Sequence, residues 1–88
     1  MDVCAGGKIS VGATSITFTN HHRVVCNITS CALPGFPPIP PNVQVPARVS
    51  SNDGTKTVPL NPPPSVTGTY TYTPDCCDGE TAPTIKVE

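Results

Sequence analysis

Ser15-Ile16-Thr17-Phe18-Thr19 and Gly68-Thr69-Tyr70-Thr71-Tyr72-Thr73 read the same way. A large apolar or aromatic side chain recurs at every second position, with threonine between. That is the period of a strand with one face buried and the other in water. Working outward, the same alternation places a strand at Lys8 to Val11. Others follow at Arg23 to Thr29 (Val24, Cys26 and Ile28 inward) and Val43 to Val49 (Val43, Val45, Ala47 and Val49 inward). Thr55 to Leu60 buries Val58 and Leu60, and Thr84 to Val87 buries Ile85 and Val87. The sixth strand runs Val66 to Thr73, with Val66, Tyr70 and Tyr72 on one face. Pro46 removes a ladder donor, so the fourth strand belongs at a sheet edge. Asn20-His21-His22, Ser51-Asn52-Asp53-Gly54 and Asn61-Pro62-Pro63-Pro64-Ser65 are the breaks between strands. Seven short strands at this spacing predict a β-sandwich.

The composition agrees. Ten Val and twelve Thr favour strands, and twelve Pro with seven Gly in 88 residues leave no room for long helices. Leu, Ile, Val and Phe together reach 19 residues at a net charge of −1, which favours a folded domain over a disordered chain. Five Lys and Arg against six Asp and Glu offer no basic field for a phosphate backbone, so nucleic acid is not an expected partner. No apolar run is long enough to span a bilayer. Residues 1–7 read as a flexible N-terminal tail, hinged at Gly6-Gly7, ahead of a single domain over 8–88. Met1-Asp2-Val3-Cys4 has neither the basic nor the apolar region of a signal peptide. Asn27-Ile28-Thr29 fits the N-glycosylation pattern.

Ile16-Thr17-Phe18-Thr19-Asn20 followed by histidines, together with Gly68-Thr69-Tyr70-Thr71-Tyr72, a cysteine-bearing loop and Pro83-Thr84-Ile85-Lys86-Val87, resembles the cupredoxin-like sandwiches. The resemblance implies a seven-stranded Greek-key β-sandwich. An immunoglobulin-like sandwich is the alternative, although that family's Tyr-x-Cys pattern is not met: Tyr72 is followed by a first cysteine only at Cys76. The ligand set of a blue-copper site is missing. No His follows His22, the only Met is Met1, and Pro74 stands where the family's Cys would sit. The resemblance therefore implies the fold and argues against the family's electron transfer.

Five cysteines in a core this small read as staples. Adjacent Cys76 and Cys77 would close a tiny ring with each other, so each is expected to pair elsewhere. A cupredoxin-like topology would bring the final loop near Cys26 and Cys31, which makes these the expected partners, in either order. Cys4 is then left over in the tail, a candidate for an intermolecular bridge and for self-association. The competing reading is copper or another soft metal held by His21, His22, Cys76 and Cys77.

The remaining candidates are weaker. His21 and His22, as neighbours at a strand end, would point to opposite sides and read as solvated turn residues. Leu33, Phe36 and Ile39 lie among five prolines. They form either a plug over one end of the sandwich or, if exposed, a protein-binding loop. Asp75, Asp78 and Glu80 do not have EF-hand spacing. No nucleophile elbow or phosphate-cradling loop is present. The expected function is a non-enzymatic structural or protein-interaction module, without cofactor, in an extracytoplasmic setting (secreted, periplasmic or cell surface).

Overall fold

A computed structural model describes residues 1–77 and 82–88 of the chain. The described residues form seven strands and no helix, hence none long and apolar enough to cross a membrane. The strands are β1 (Gly7–Ile9), β2 (Ser15–Asn20), β3 (Cys26–Cys31), β4 (Val43–Val45), β5 (Gly54–Pro59), β6 (Gly68–Pro74) and β7 (Thr84–Val87). One sheet has the order β1-β7-β6-β3-β4, and the other pairs β2 with β5. β1 runs parallel to β7, and the other pairs are antiparallel. The Pro46 signal holds: β4 is an edge, and it stops just short of that proline.

The two sheets face each other across Phe18 and Tyr72. Phe18 is fully buried, and its ring meets Tyr72 edge-on at 5.4 Å and Phe36 edge-on at 6.3 Å. Burying a side chain of this kind contributes about 1.5–3 kcal/mol. Each edge-on pair adds about 0.5–1.5 kcal/mol. Ile16, Val58, Cys26, Ile28, Val45, Ile85 and Val87 complete the alternating inward faces, with Val3, Leu33 and Leu60 closing the ends.

Several expected inward positions are not inward. Val24, Val49 and Val66 are 61 %, 68 % and 66 % exposed, because β3, β4 and β6 are shorter than the alternation suggests. At one of these boundaries a buried polar side chain, Asn20, takes over from the ladder. Its Nδ2 donates to the carbonyls of Val24 (2.9 Å) and Pro46 (3.1 Å), and its Oδ1 accepts from the His22 N–H (2.9 Å). One amide thus fixes the end of β2, the turn after it and the exit of β4. Gly54 opens β5 close to this point, where a Cβ would collide with the Pro46 carbonyl.

The flexible-tail expectation for residues 1–7 is also corrected. Thr17 and Thr19 present their backbone groups on the side of β2 away from β5, and the first residues cover them. The Met1 amino group donates to the Thr17 carbonyl at 2.7 Å. Thr19 N–H donates to Met1, and Val3 N–H donates to Thr19. Val3 is fully buried. Gly6, at φ +75°, is where the chain crosses to the other sheet; a Cβ there would run into the Thr84 carbonyl.

Candidate functional site

Cysteine sulfurs from three segments meet at one end of the molecule. Cys26 opens β3 and is fully buried. Cys76 and Cys77 follow β6. Cys4 is presented by a turn that Asp2 organises: the Asp2 carboxylate accepts from the Cys4 N–H at 2.8 Å, and its carbonyl accepts from the Gly6 N–H at 2.9 Å. Cys4 is bonded to Cys77 and Cys26 to Cys76, with Cα separations of 5.6 and 4.9 Å. Between the two bridges, Cys76 Sγ lies 3.9 Å from Cys4 Sγ and 3.8 Å from Cys77 Sγ. His22 Nε2 is 3.3 Å from Cys4 Sγ. Since that sulfur is already bonded, a hydrogen bond here is donated by the imidazole.

The loop carrying Cys76 is held by its neighbour. The Asp75 carboxylate accepts from the Asn27 N–H at 2.8 Å and from Asn27 Nδ2 at 3.0 Å, and Asp75 N–H donates to the Asn27 carbonyl at 2.9 Å. These two Asn27 donors hold the Asp75 carboxyl below its ordinary range. The same bonds occupy the amide nitrogen that a glycan on Asn27 would use. Asp75 is therefore a clamp; Asp78 and Glu80, its companions in the acidic loop, lie outside the described residues.

This connectivity corrects the expected one. Cys76 and Cys77 are both bridged and Cys26 is one partner, but the other is Cys4, and Cys31 is free. The reason is strand geometry. Five residues at ~3.3 Å each put Cys31 roughly 16 Å along β3 from Cys26, out of reach of Cys77. Intermolecular pairing through Cys4 is overturned with it. Burial pushes the half-buried Cys31 thiol up, against a smaller opposing effect of the Leu33 backbone, which disfavours the nucleophilic thiolate. The two histidines diverge. His21 Nδ1 lies 2.8 Å from Asp53 and its Nε2 3.5 Å from Asp2, so of this pair it is His22 that approaches the sulfurs. His21, His22, Cys76 and Cys77 therefore do not assemble as one ligand set.

The proline-rich loop folds inward. Leu33 is buried, Ile39 is half-buried, and Phe36 packs on Phe18 as a plug. What the loop leaves open is a groove of about 400 Å³, walled by Pro37, Pro38 and Pro40, by Val43 and Gln44 of β4, and by Thr57 of β5. Thr17 and Thr19 turn their backbone groups to the N-terminal segment, so Ile16, Phe18 and Asn20 bond to Val58, Lys56 and Gly54 across the β2–β5 pair. Thr55 and Thr57 then face the outer edge of β5.

The sequence hid Cys4 behind Gly6-Gly7; the signal that reveals it is Asp2, two residues earlier, in position for a side-chain turn. Comparison with protein-family models, with curated proteins and with solved structures finds no match for the chain.

Proposed function

We propose that the chain is a non-enzymatic, disulfide-stapled interaction module of immunoglobulin-like topology that works outside the reducing cytosol. The observation that carries this reading is the pair of bridges, spanning 73 and 50 residues of sequence, that lock the N-terminal segment and β3 to the segment after β6. Bridges of this kind persist in oxidising compartments. The strand order supports the immunoglobulin-like alternative over the cupredoxin-like one. β2 and β5 form one sheet and β3, β6 and β7 lie together in the other, which parallels the B–E and C–F–G groups of that architecture. Of the groups with shifted acidity, Asp75 is engaged by Asn27 and Tyr72 by Val3, and the Cys31 thiol is pushed up by burial.

The interaction face is the groove between β4 and β5, and its occupant is an extended segment of a protein partner, bearing apolar side chains, added to β5 as a strand. The outward backbone groups of Thr55 and Thr57 call for an extended chain, and the prolines with Val43 and Val58 call for apolar side chains on it, beside the polar Asn42, Gln44 and Lys56. Alkylation at the moment of cell disruption, in the native source, tests the compartment: Cys31 alone is expected to be alkylated, and five alkylated cysteines would overturn the reading. Random peptides selected on the oxidised domain test the face. Extended sequences with apolar side chains should be enriched and should lose binding to Thr57→Pro; binding indifferent to that substitution contradicts strand addition.

A further inference from the structure

Two three-donor groups that share Cys76 meet where the two bridges staple the fold. The sulfurs of Cys26, Cys76 and Cys77 all lie within 4.8 Å of one another, and so do the donors of Cys4, His22 and Cys76. Thiolates are soft ligands, and four of them in a tetrahedron are a zinc-type donor set. A metal–sulfur distance of ~2.3 Å gives a tetrahedron with edges of about 3.8 Å. The two contacts between the bridges, 3.9 Å from Cys4 to Cys76 and 3.8 Å from Cys76 to Cys77, already have that length.

We propose that, once both bridges are reduced, Cys4, Cys26, Cys76 and Cys77 hold one zinc-like divalent ion as a four-thiolate site, so that this end of the domain exchanges two disulfides for a metal. Two equivalents of an external dithiol break the two S–S bonds. They supply four electrons and four protons and are themselves oxidised to disulfides. Binding of the ion then displaces the four thiol protons to solvent, and the metal changes no oxidation state. The Asp75–Asn27 clamp joins the chain neighbours of Cys76 and Cys26 through hydrogen bonds in which the sulfurs take no part. His22, 3.3 Å from Cys4 Sγ, donates to that thiolate and is a positioning residue, not a ligand. This site differs from the histidine-rich set suggested by the sequence, and it stands independently of the compartment and of the groove.

The test is anaerobic reduction with excess dithiol, removal of the reductant, and titration with Co²⁺ followed by Zn²⁺. One Co²⁺ per chain is expected, with the strong visible absorption of a tetrahedral cobalt thiolate, displaced by one equivalent of Zn²⁺. In the Zn²⁺ form, alkylation should reach Cys31 only. Cys31→Ser should keep the full spectrum, and Cys26→Ser or Cys76→Ser should lose the four-sulfur signature. His22→Ala should keep the stoichiometry and weaken affinity roughly 10- to 100-fold. Circular dichroism in parallel reports whether the β signal is kept or restored on metal addition. Absence of the tetrahedral band would overturn the proposal, as would its persistence in Cys76→Ser. The same band and affinity with the reduced chain held unfolded in urea would also overturn it, since the fold would then contribute nothing.

Discussion

Asp75 and Asn27 are joined by three hydrogen bonds, and each is the chain neighbour of one half of the Cys26–Cys76 bridge. The clamp therefore holds the chain neighbours of the two bridged cysteines together through contacts separate from the covalent bond. Its acidity follows from its donors. The folded carboxyl titrates below its unfolded value, so the stability it contributes is present above the ordinary carboxylate range and is lost as pH falls through the folded value. Urea midpoints for the wild type and Asp75→Asn should differ at neutral pH and converge as pH falls through the folded carboxyl's own titration, below the ordinary carboxylate range. A gap that stays constant across that range would show that the charge of Asp75 is not what the clamp uses.

Tyr72 is the second joint between the N-terminal segment and the core. Its hydroxyl donates to the Val3 carbonyl at 2.9 Å and more weakly to Asp2 at 3.3 Å, while its ring packs on Phe18. Tyr72→Phe should cost about 1–3 kcal/mol, because the buried Val3 carbonyl loses this donor. Tyr72→Ala should cost about 3–5 kcal/mol through lost packing. Burial, and then the charge of Asp2, push the phenol above its ordinary range. Stability tied to the neutral phenol is thus complete below pH ~10 and lost as pH rises through the folded value. Thermal melts of both variants check the order; equal melting temperatures for Tyr72→Phe and wild type would remove the Val3 bond from the explanation.

The bridges should not act additively. With Cys26–Cys76 intact, opening Cys4–Cys77 releases an effective loop of only about two dozen residues, worth about 3 kcal/mol in the chain-entropy picture. With the other bridge already gone, the same bond closes 73 residues and is worth about 4 kcal/mol. Paired serine substitutions at each bridge, and at both, should therefore show the second loss exceeding the first in denaturant titrations. Equal steps would mean that the two bridges do not share one ring.

Side-chain alternation made the seven strands legible, because Ile16 with Phe18 and Ile85 with Val87 cannot both be buried in any other period. It overran where an apolar residue continued the pattern past the ladder, as Val24 and Val66 do. There the chain is governed by side-chain clamps such as Asn20, whose partners are distant in sequence. The candidate site was legible only in part. Cys76, Cys77 and Cys26 stood out, but the choice between Cys4 and Cys31 depended on which sheet edge the first residues cover. That in turn rests on the backbone groups of Thr17 and Thr19, which leave no mark in composition or spacing. The approach of His22 to Cys4 is likewise a product of the Asn20 turn.

Tryptic mapping of the oxidised protein, with free thiols alkylated first, tests the bridge pattern most directly. Cleavage after lysine and arginine puts Cys4 in the peptide 1–8, Cys26 and Cys31 in 24–48, and Cys76 and Cys77 in 57–86. With Cys4 bonded to Cys77 and Cys26 to Cys76, all three peptides should elute as one cross-linked species carrying a single alkyl group, on Cys31. Release of peptide 1–8 as an alkylated monomer, with 24–48 joined twice to 57–86, would contradict it.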